Sequence, residues 1–312
     1  MGVLLVGSLN IDLVAYVGKM PKPGETIHGE KLEIFPGGKG LNQATAAARA
    51  GGEVTMVGVL GTDQNSLLLR NVMRSEKINQ EYVTEIEGVC GTAIIEVDTS
   101  GQNRIIVISG ANGELKSDSI TDDVFDSISD TRDLLAQLES PLSEIAIIIS
   151  RAKDKGFFTI LNPAPAQAVS HEFAQNIDLL VPNQFEAEFL TGIEVVDIES
   201  ATLAAKIIHE LGVGSVLITL GKDGALLHSL HGSKYFPPFK VTALDTTAAG
   251  DAFCGALATM LSEGLSLIDS IPFASAAGAL ATTKVGATPS LPTKVEISSL
   301  IQLQNTKGQD EC

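Results

Sequence analysis

Positive charge is scarce in this chain of 312 residues: 21 lysines and arginines stand against 38 aspartates and glutamates, so the formal net charge is −17. A protein that binds the phosphate backbone of a nucleic acid needs a basic stripe. The composition therefore argues against a nucleic-acid partner and favours a soluble protein with a small ligand. An anionic nucleotide remains compatible with it, because loops and helix N-termini supply local positive potential.

Cysteines and long apolar runs are also few. The three cysteines, Cys90, Cys254 and Cys312, are widely spaced and form no CxxC pair, which is typical of reduced thiols in a cytosolic protein. No apolar run approaches the length that spans a bilayer. The apolar start of the chain, MGVLLVG, has neither a basic region nor a following cleavage site, so we expect no signal peptide. These absences predict a cytoplasmic protein without a membrane partner.

Hydrophobic residues make up 44% of the chain, which is enough to bury a sizeable core. In the first third, residues 11–17 and 26–35 mix apolar with polar side chains, and residues 92–97 and 104–108 flank a turn-like DTSG at 98–101. Strands with one wet face that are joined by such turns predict an antiparallel sheet.

The pattern changes after residue 130. Short apolar runs alternate with helical patterns, the runs at 158–161, 179–181 and 215–220 and the helices near 200–211, 249–262 and 268–284. This alternation predicts a βαβ arrangement whose sheet is buried on both faces. The segment 145–149 is ambiguous because its residues favour a strand. We interpret it as a helix, since Pro141 precedes it and KDKG at 153–156 is typical of a helix end.

The strongest motif is DTTAAGD at residues 245–251, which precedes an Ala- and Leu-rich helical pattern. Small residues at 248–250 let the backbone approach a ligand closely, and the N–H groups at a helix start form an anion site. Asp251 in the first turn can accept a hydrogen bond from an alcohol and direct its oxygen at phosphorus. Taken alone, Asp251 is explained almost equally well as a complement to the helix dipole.

Two motifs near the N-terminus suit a sugar. Residues 37–43 read GGKGLNQ, which is not a Walker A loop because no GxxxxGK with Ser or Thr is present. Lys39 and Asn42 offer hydrogen-bonding groups of the kind that a polyhydroxylated ligand needs. Asn10 and Asp12 alternate onto one face after the first strand, where a carboxylate can hold a vicinal diol. An ordinary turn would also explain either motif.

Two further motifs follow later strands. The sequence NQFE at 183–186 places Glu186 where it can organise Mg²⁺ through water, although an exposed helical glutamate is the simpler explanation. The sequence TLGKDG at 219–224 is a glycine turn that can cradle a nucleotide, and a tight hairpin turn is its alternative.

Together these motifs resemble the PfkB family of carbohydrate kinases and, within it, the ribokinase branch. GSLNID, PGET, GGKGLNQA, QLESP, LNPAPA, PNQFEAE, ITLGKDGA, DTTAAGD and GATPS occur in the family's order over nearly the whole chain. The resemblance implies a single ribokinase-like α/β sandwich over residues 1–312, with a mostly parallel central sheet flanked by helices. A small β-sheet lid would be inserted within 11–36 and 90–110. The implied activity is ATP-dependent phosphorylation of D-ribose at O5.

The resemblance also implies a role for each matching position. Asp251 would be the catalytic base, with an anion hole at Ala248, Ala249 and Gly250. The sugar would be surrounded by Asn10, Asp12, Gly38, Lys39, Asn42, Glu139 and Asp251. The nucleotide would contact Asn183, Thr219, Gly221, Lys222, Gly224, Gly250 and Ser275. Glu186 would act on the Mg²⁺ side of the phosphates.

Family members use a monovalent cation, usually K⁺, beside the anion hole. The resemblance places its ligands, mostly backbone carbonyls, at Asp245, Thr247, Ala281, Lys284, Gly286 and Ser290. Carbonyl oxygens with one carboxylate are chemically suited to a hard cation. The lid of the family also pairs two subunits, so the resemblance implies a homodimer.

Two positions depart from the family pattern. Ser66 stands where glycine is usual, and Ser275 stands where Asn or His is frequent near the adenine. The alternatives are a related kinase for deoxyribose or a nucleoside, and a catalytically silent sugar-binding regulator. Loss of Asp251 would favour the regulator, and Asp251 is present. A Rossmann dehydrogenase is disfavoured because GSLN, and not GxGxxG, follows the first strand.

Overall fold

The apolar runs fold into strands and the periodic segments into helices in a computed structural model that describes residues 2–128 and 131–310. In chain order the strands are β1 (Gly2–Val6), β2 (Asn10–Val17), β3 (Gly29–Gly37), β4 (Glu53–Leu60), β5 (Asn79–Glu85), β6 (Gly91–Asp98), β7 (Asn103–Ile108), β8 (Thr131–Ala136), β9 (Phe158–Leu161), β10 (Leu179–Leu180), β11 (Ser215–Thr219), β12 (Ala225–Ser229) and β13 (Gly232–Phe236). The helices are α1 (Lys39–Arg49), α2 (Gln64–Ser75), α3 (Asp122–Ser127), α4 (Leu142–Asp154), α5 (His171–Ala174), α6 (Gln184–Thr191), α7 (Ile198–Glu210), α8 (Ala249–Ser262), α9 (Leu267–Ala281) and α10 (Lys294–Asp310).

Nine strands form one large sheet, sheet A, in the order β13-β12-β11-β10-β9-β8-β1-β4-β5. The strands from β11 through β5 pair with one another in parallel, whereas the β11–β12 and β12–β13 pairs are antiparallel. Along β1, Leu4 and Val6 belong to one hydrophobic cluster, and Val3 and Leu5 to another. Because successive side chains point to opposite faces, the sheet is buried on both sides. The predicted parallel α/β core is confirmed.

The predicted small sheet is also present and is called sheet B. Its order is β3-β2-β6-β7, with antiparallel hairpins β2–β3 and β6–β7. The predicted antiparallel pairing is present in both hairpins, but the sheet as a whole is mixed, because β2 and β6 pair in parallel. The chain leaves sheet B after β3, contributes two strands to sheet A, and re-enters through β6 in the direction of β2. The alternation of apolar and polar residues shows which face of a strand contacts water. It does not show whether the neighbouring strand runs parallel or antiparallel to it.

Two helices that carry candidate site residues in their first turns begin at the same edge of sheet A. Lys39 opens α1 directly after Gly38, whose φ of 87° suits glycine. Asp251 lies in the first turn of α8, after Ala248 with a φ of 59°. The ambiguous segment 145–149 is helical and lies within α4, as predicted. Across the described ranges, we find no helix with the length and apolarity needed to traverse a bilayer.

Candidate active site

Polar residues follow four neighbouring parallel strands of sheet A and meet at its carboxyl edge, where open α/β sheets bind ligands. Ser8 follows β1, Glu139 follows β8, Asn162 follows β9 and Asn183 follows β10. A cavity of about 190 Å³ opens there. Its lining comprises Lys39, Asn162, Ala164, Val181, Asn183, Glu186, Thr219, Thr246, Ala248, Ala249, Gly250, Asp251 and Cys254.

The Asp251 carboxylate is buried at the start of α8 and is held through both oxygens. Nδ2 of Asn42 donates to Oδ2 at 3.0 Å, and Nε2 of Gln43 donates to Oδ1 at 2.9 Å. Free N–H groups at a helix start point outward along its axis, so those of the first turn of α8 face the same space as the carboxylate. A Cβ added to Gly250 would meet open space. This end of the cavity therefore combines a fixed carboxylate with an anion-binding turn.

The two amides that hold Asp251 are held in turn by buried polar side chains. The oxygen of the Gln43 side chain accepts from Nε2 of Gln137 at 2.6 Å. The oxygen of the Asn42 side chain lies 3.0 Å from the hydroxyl of Thr288 and shares its proton with the Pro36 carbonyl at 2.9 Å. Each amide therefore has its oxygen occupied and turns its NH₂ group towards Asp251, which fixes the carboxylate in one orientation.

Glu139 ties the start of α1 to the end of β1. Its Oε2 accepts from the Lys39 N–H at 2.9 Å and from the Ser8 hydroxyl at 2.5 Å. The Ser8 hydroxyl also accepts from the Gly40 N–H at 3.2 Å. A Cβ at Gly40 would lie 2.5 Å from the Ser8 backbone, so only glycine permits this contact. The Lys39 side chain is thereby placed between several carboxylates.

Burial and mutual repulsion make the carboxyl groups of Asp251 and Asp12 reluctant to ionise. Burial raises the pKa of Asp251, while Lys39 and the amides of Gln43 and Asn42 oppose this rise. Burial, reinforced by Glu139 and Asp251, raises the pKa of Asp12 to about 7. For Lys39, burial lowers the pKa, but the nearby carboxylates outweigh it and the net shift is upward. The site thus holds a cation among weakly acidic carboxyl groups near neutral pH.

Asn183 and Glu186 form a capping box at the start of α6. The Asn183 side chain accepts from the Glu186 N–H at 2.8 Å, and Oε2 of Glu186 accepts from the Asn183 N–H at 2.8 Å. Burial raises the pKa of Glu186. Next to it, Gly221 and Gly224 have φ values of 57° and 92°, which shape the turn after β11.

The residues predicted to hold a monovalent cation come from two adjoining segments. Oδ1 of Asp245 accepts from the Thr247 N–H at 2.9 Å, and Oδ2 accepts from the Gly286 N–H at 2.8 Å. The Lys284 ammonium pairs with Glu296 at 2.9 Å, away from Asp245. Within the described residues, no group of three or more His, Cys, Asp or Glu side chains is arranged for a metal. A cation here would therefore rely on main-chain carbonyls beside one carboxylate.

Comparisons with known proteins agree with this geometry. A family model described as "pfkB family carbohydrate kinase" matches residues 2–294. The chain belongs to the PfkB family of carbohydrate kinases. It is 40% identical to a ribokinase of Haemophilus influenzae over 96% of this chain and 97% of that protein. It is also 35% identical to a deoxyribokinase of Salmonella typhi, over 83% of this chain and 85% of that protein.

Solved structures show the same PfkB fold. The structure of Arabidopsis thaliana ribokinase complexed with ribose and ATP matches with a TM-score of 0.89 at 30% identity, over 96% of this chain and 98% of that chain. The agreement extends over sheet A and sheet B together, since nearly the whole of both chains is matched.

Many of the predicted PfkB site residues line the cavity, whereas others, among them Gly221, Lys222, Gly224 and Ser275, lie outside its lining. Asp251, the turn at 248–250, Lys39, Asn183, Glu186 and Thr219 line the cavity, and Asn42 reaches it through Asp251. Asn10 and Asp12 lie on one face of β2. Lys222 is exposed and lies outside the cavity lining. Ser275 also lies outside that lining, and its buried hydroxyl has no partner among the described residues.

The motif assignments missed several polar residues that line the site or hold its side chains. Ser8 and Gln43 lie inside motifs whose neighbours were assigned, so their position beside Asn10 and Asn42 was an available signal. Asn162 follows β9, and the carboxyl-edge rule for parallel strands would have found it. Thr288 lies inside GATPS, whose neighbouring Gly286 and Ser290 were assigned, but only the folded chain brings it to Asn42. Asn112 is in no motif, and the fold alone brings it to Asn10.

The hydrogen bond from Gln43 should tune the acidity of Asp251. Gln43→Met keeps the side-chain volume and removes the donor, so the pKa of Asp251 should rise and the acid limb of the kcat–pH profile should move to higher pH. A hydrogen bond to a charged group contributes about 1.5–3 kcal/mol, so kcat at pH 7 should fall roughly 10- to 100-fold. Steady-state kinetics from pH 5 to about pH 9 measure both effects.

The matched control is Gln80→Met, which lies on β5 and pairs with Arg70. It should leave the profile unchanged. A Gln43→Met profile that is lowered equally at every pH would contradict the effect on Asp251.

Proposed function

We propose that this protein transfers the γ-phosphoryl group of ATP to the 5-hydroxyl of D-ribose, which gives D-ribose 5-phosphate and ADP. The observation that carries the proposal is the Asp251 carboxylate, held by Asn42 and Gln43 at the helix start that faces the cavity. The relatives support ribose as the sugar, because the Haemophilus protein is named a ribokinase and the Arabidopsis structure contains ribose and ATP.

The reaction needs a base beside the attacking hydroxyl and an anion site beside the transferring phosphoryl group. The 5-hydroxyl donates its proton to the free lone pair of Asp251 as the new O–P bond forms. The bond from phosphorus to the bridging oxygen of ADP breaks, and the helix-start N–H groups at 248–250 stabilise charge on the phosphoryl oxygens. A weak base suffices for a loose transition state, and the raised pKa of Asp251 brings it closer to neutral pH.

The remaining assignments follow from the chemistry of each side chain. Asp12 accepts hydrogen bonds from ribose hydroxyls, and Lys39 donates to the sugar or the incoming phosphate. Gly38 and Glu139 complete the sugar wall, with Glu139 fixing α1. Thr219, Gly221, Gly224 and Asn183 form the nucleotide side, where Lys222 and Ser275 are more distant candidates.

Two cations fit the residues present. Mg²⁺ keeps most of its waters, so the Glu186 carboxylate at the cavity would hold it through water while it neutralises phosphate charge. A K⁺ ion would be held by Asp245 and by carbonyls of Thr247, Ala281, Lys284, Gly286 and Ser290, and would add positive potential beside the anion site. The Asp245 carboxylate retains lone pairs after binding the N–H groups of Thr247 and Gly286.

Turnover on a panel of sugars tests the function. With Mg-ATP and K⁺, ADP release should be fastest with ribose, compared with deoxyribose, fructose, adenosine and no sugar, and the product should be ribose 5-phosphate by mass and by position. Asp251→Asn should lower kcat at least about 100-fold, because a positioned general base contributes that much. Asp154→Asn, an exposed carboxylate of α4, is the control and should keep the wild-type rate.

Other outcomes separate the alternatives. Preference for deoxyribose, which the Salmonella relative makes the second candidate, would keep Asp251 and overturn the sugar assignment. Sugar binding without ADP release would favour a silent regulator. Near-normal turnover by Asp251→Asn would remove Asp251 from the mechanism.

The monovalent-cation site has its own test. Replacing K⁺ by tetramethylammonium at equal ionic strength should lower kcat at least about tenfold, since 1.4 kcal/mol of lost transition-state stabilisation has that effect. Asp245→Asn should weaken the dependence on K⁺. Asp118→Asn, an exposed carboxylate, should leave it intact, and equal rates in both cations would exclude a functional site.

We propose further that sheet B is the lid of a single ribokinase-like domain and pairs two copies of the chain. Ile34, Ile94 and Ile106 lie in one cross-strand row of sheet B with Leu13 between the first two. They are 52%, 36% and 61% exposed. An apolar row of this kind in contact with water is typical of a surface that is covered in the assembly, and the matching surface of a second copy would cover it symmetrically.

Ile106→Lys should therefore shift the protein from dimer to monomer, because it places a charge in the most exposed position of this apolar row. Sedimentation velocity across a concentration series measures the shift. Ile147→Lys is the matched control, since Ile147 is 46% exposed on α4 and far from sheet B in the fold. A wild-type protein that is monomeric at all concentrations would contradict the pairing.

A further inference from the structure

A buried asparagine outside every sequence motif determines the orientation of a side chain at the sugar face. Asn112 lies in a short 3₁₀ turn and is 2% exposed. Its Oδ1 accepts from the Leu9 backbone N–H at 2.9 Å, and its Nδ2 donates to Oδ1 of Asn10 at 2.6 Å. Because a backbone N–H can only donate, the Asn112 side chain must present its oxygen to Leu9 and its NH₂ group to Asn10.

The orientation of Asn112 then fixes that of Asn10. The Asn10 oxygen faces Asn112, so its NH₂ group points the other way, and Nδ2 of Asn10 has no partner among the described residues. Two glycines make room for this arrangement. A Cβ on Gly91 would lie 2.0 Å from both amide atoms that form the contact, and one on Gly38 would lie 3.2 Å from Cβ and Cγ of Asn10.

We propose that Asn112 is a positioning residue that makes Asn10 a hydrogen-bond donor to the sugar. Asn10 and Asp12 alternate onto one face of β2, so the face offers a donor beside an acceptor carboxylate. One sugar hydroxyl can accept a hydrogen bond from Asn10 while the adjacent hydroxyl donates one to Asp12, and both side chains are then satisfied. The face therefore selects a vicinal diol, and the inference rests on the sugar-kinase function proposed above.

The competing explanation is that Asn112 only fastens the turn at 110–114 to the strand junction, since Nδ2 also donates to the Leu9 carbonyl at 3.3 Å. A purely structural role predicts lower stability and equal losses for sugar and ATP. A positioning role predicts a loss confined to the sugar and dependent on Asn10.

Asn112→Asp separates the two roles. The new carboxylate still accepts from Leu9, but its second oxygen faces Asn10, whose side chain must turn over and present an acceptor to the sugar. The ribose Kd by calorimetry and the ribose KM should rise roughly 10- to 100-fold, since a buried polar group is left without a hydrogen-bond partner. The ATP KM should stay within about twofold, because Asn112 is remote from the nucleotide turn.

A double-mutant cycle with Asn10→Ala completes the test. Without the Asn10 amide, Asn112→Asp should change ribose binding by no more than about twofold, because coupled residues are not additive. Asn112→Ala, which frees the Asn10 amide to rotate, should give a smaller loss that also disappears in the Asn10→Ala background. Asn71→Asp, on the exposed face of α2, is the matched control and should bind ribose normally.

If Asn112→Asp lowers ribose affinity equally in the wild-type and Asn10→Ala backgrounds, the positioning role is overturned. A normal ribose Kd for Asn112→Asp would overturn it as well. Analogues lacking the 2- or the 3-hydroxyl add a second readout, because one of them should be insensitive to Asn112→Asp. If the wild-type protein binds ribose without phosphorylating it, the proposed kinase activity is refuted. The double-mutant cycle of Asn112 and Asn10 on ribose binding would still test the positioning role. A wild-type protein that binds no ribose would contradict both.

Discussion

The site depends on the burial of a carboxylate that must remain a hydrogen-bond acceptor. Desolvation acts against the charge of Asp251, and Asp12 and Glu139 add repulsion. Only a nearby cation and directed N–H groups can offset such a penalty. Lys39 supplies the cation and the amides of Asn42 and Gln43 supply the N–H groups, all from the first turns of α1. The packing of α1 against α8 is therefore as much an electrostatic requirement as a hydrophobic one.

Close backbone approach makes this packing possible. A Cβ on Gly255 of α8 would lie 2.4 Å from the Gln43 carbonyl, and one on Gly40 would lie 2.5 Å from Ser8. Glycine at these two positions lets α1 sit against both β1 and α8. The parallel strands of sheet A then bring Asn162 and Asn183 to the same edge. Residues more than 200 positions apart thus share hydrogen bonds because helix starts and strand ends coincide there.

Local patterns in the sequence indicated much of this arrangement, and the missing parts are long-range. The apolar runs predicted the parallel strands, and DTTAAGD predicted the helix start that carries Asp251. The parallel pairing of β2 with β6 was not predicted, because the alternation of apolar and polar residues indicates the buried face of a strand and not the direction of its neighbour. The contacts of Asn112 with Asn10 and of Thr288 with Asn42 were not predicted. The two partners are 102 and 246 positions apart in the chain, and no local spacing indicates such a contact. What a sequence leaves open here is which polar side chains meet once the fold forms.

A common principle links the three amides of the site. Asn42 is oriented by Thr288, Gln43 by Gln137 and Asn10 by Asn112, each through a hydrogen bond to its oxygen. An amide that is free to turn over can present either its NH₂ group or its oxygen to a ligand. These three amides present only the NH₂ group. A hydroxyl can donate or accept, so a polyol adapts to such a wall, while a carbonyl or ether oxygen facing Asp12 would leave an unpaired buried acceptor. Such a ligand is rejected more strongly than one that merely has the wrong shape, because the loss of a buried hydrogen bond costs more free energy than a poor apolar fit. The specificity of the proposed sugar site therefore resides as much in the residues behind the amides as in the amides themselves.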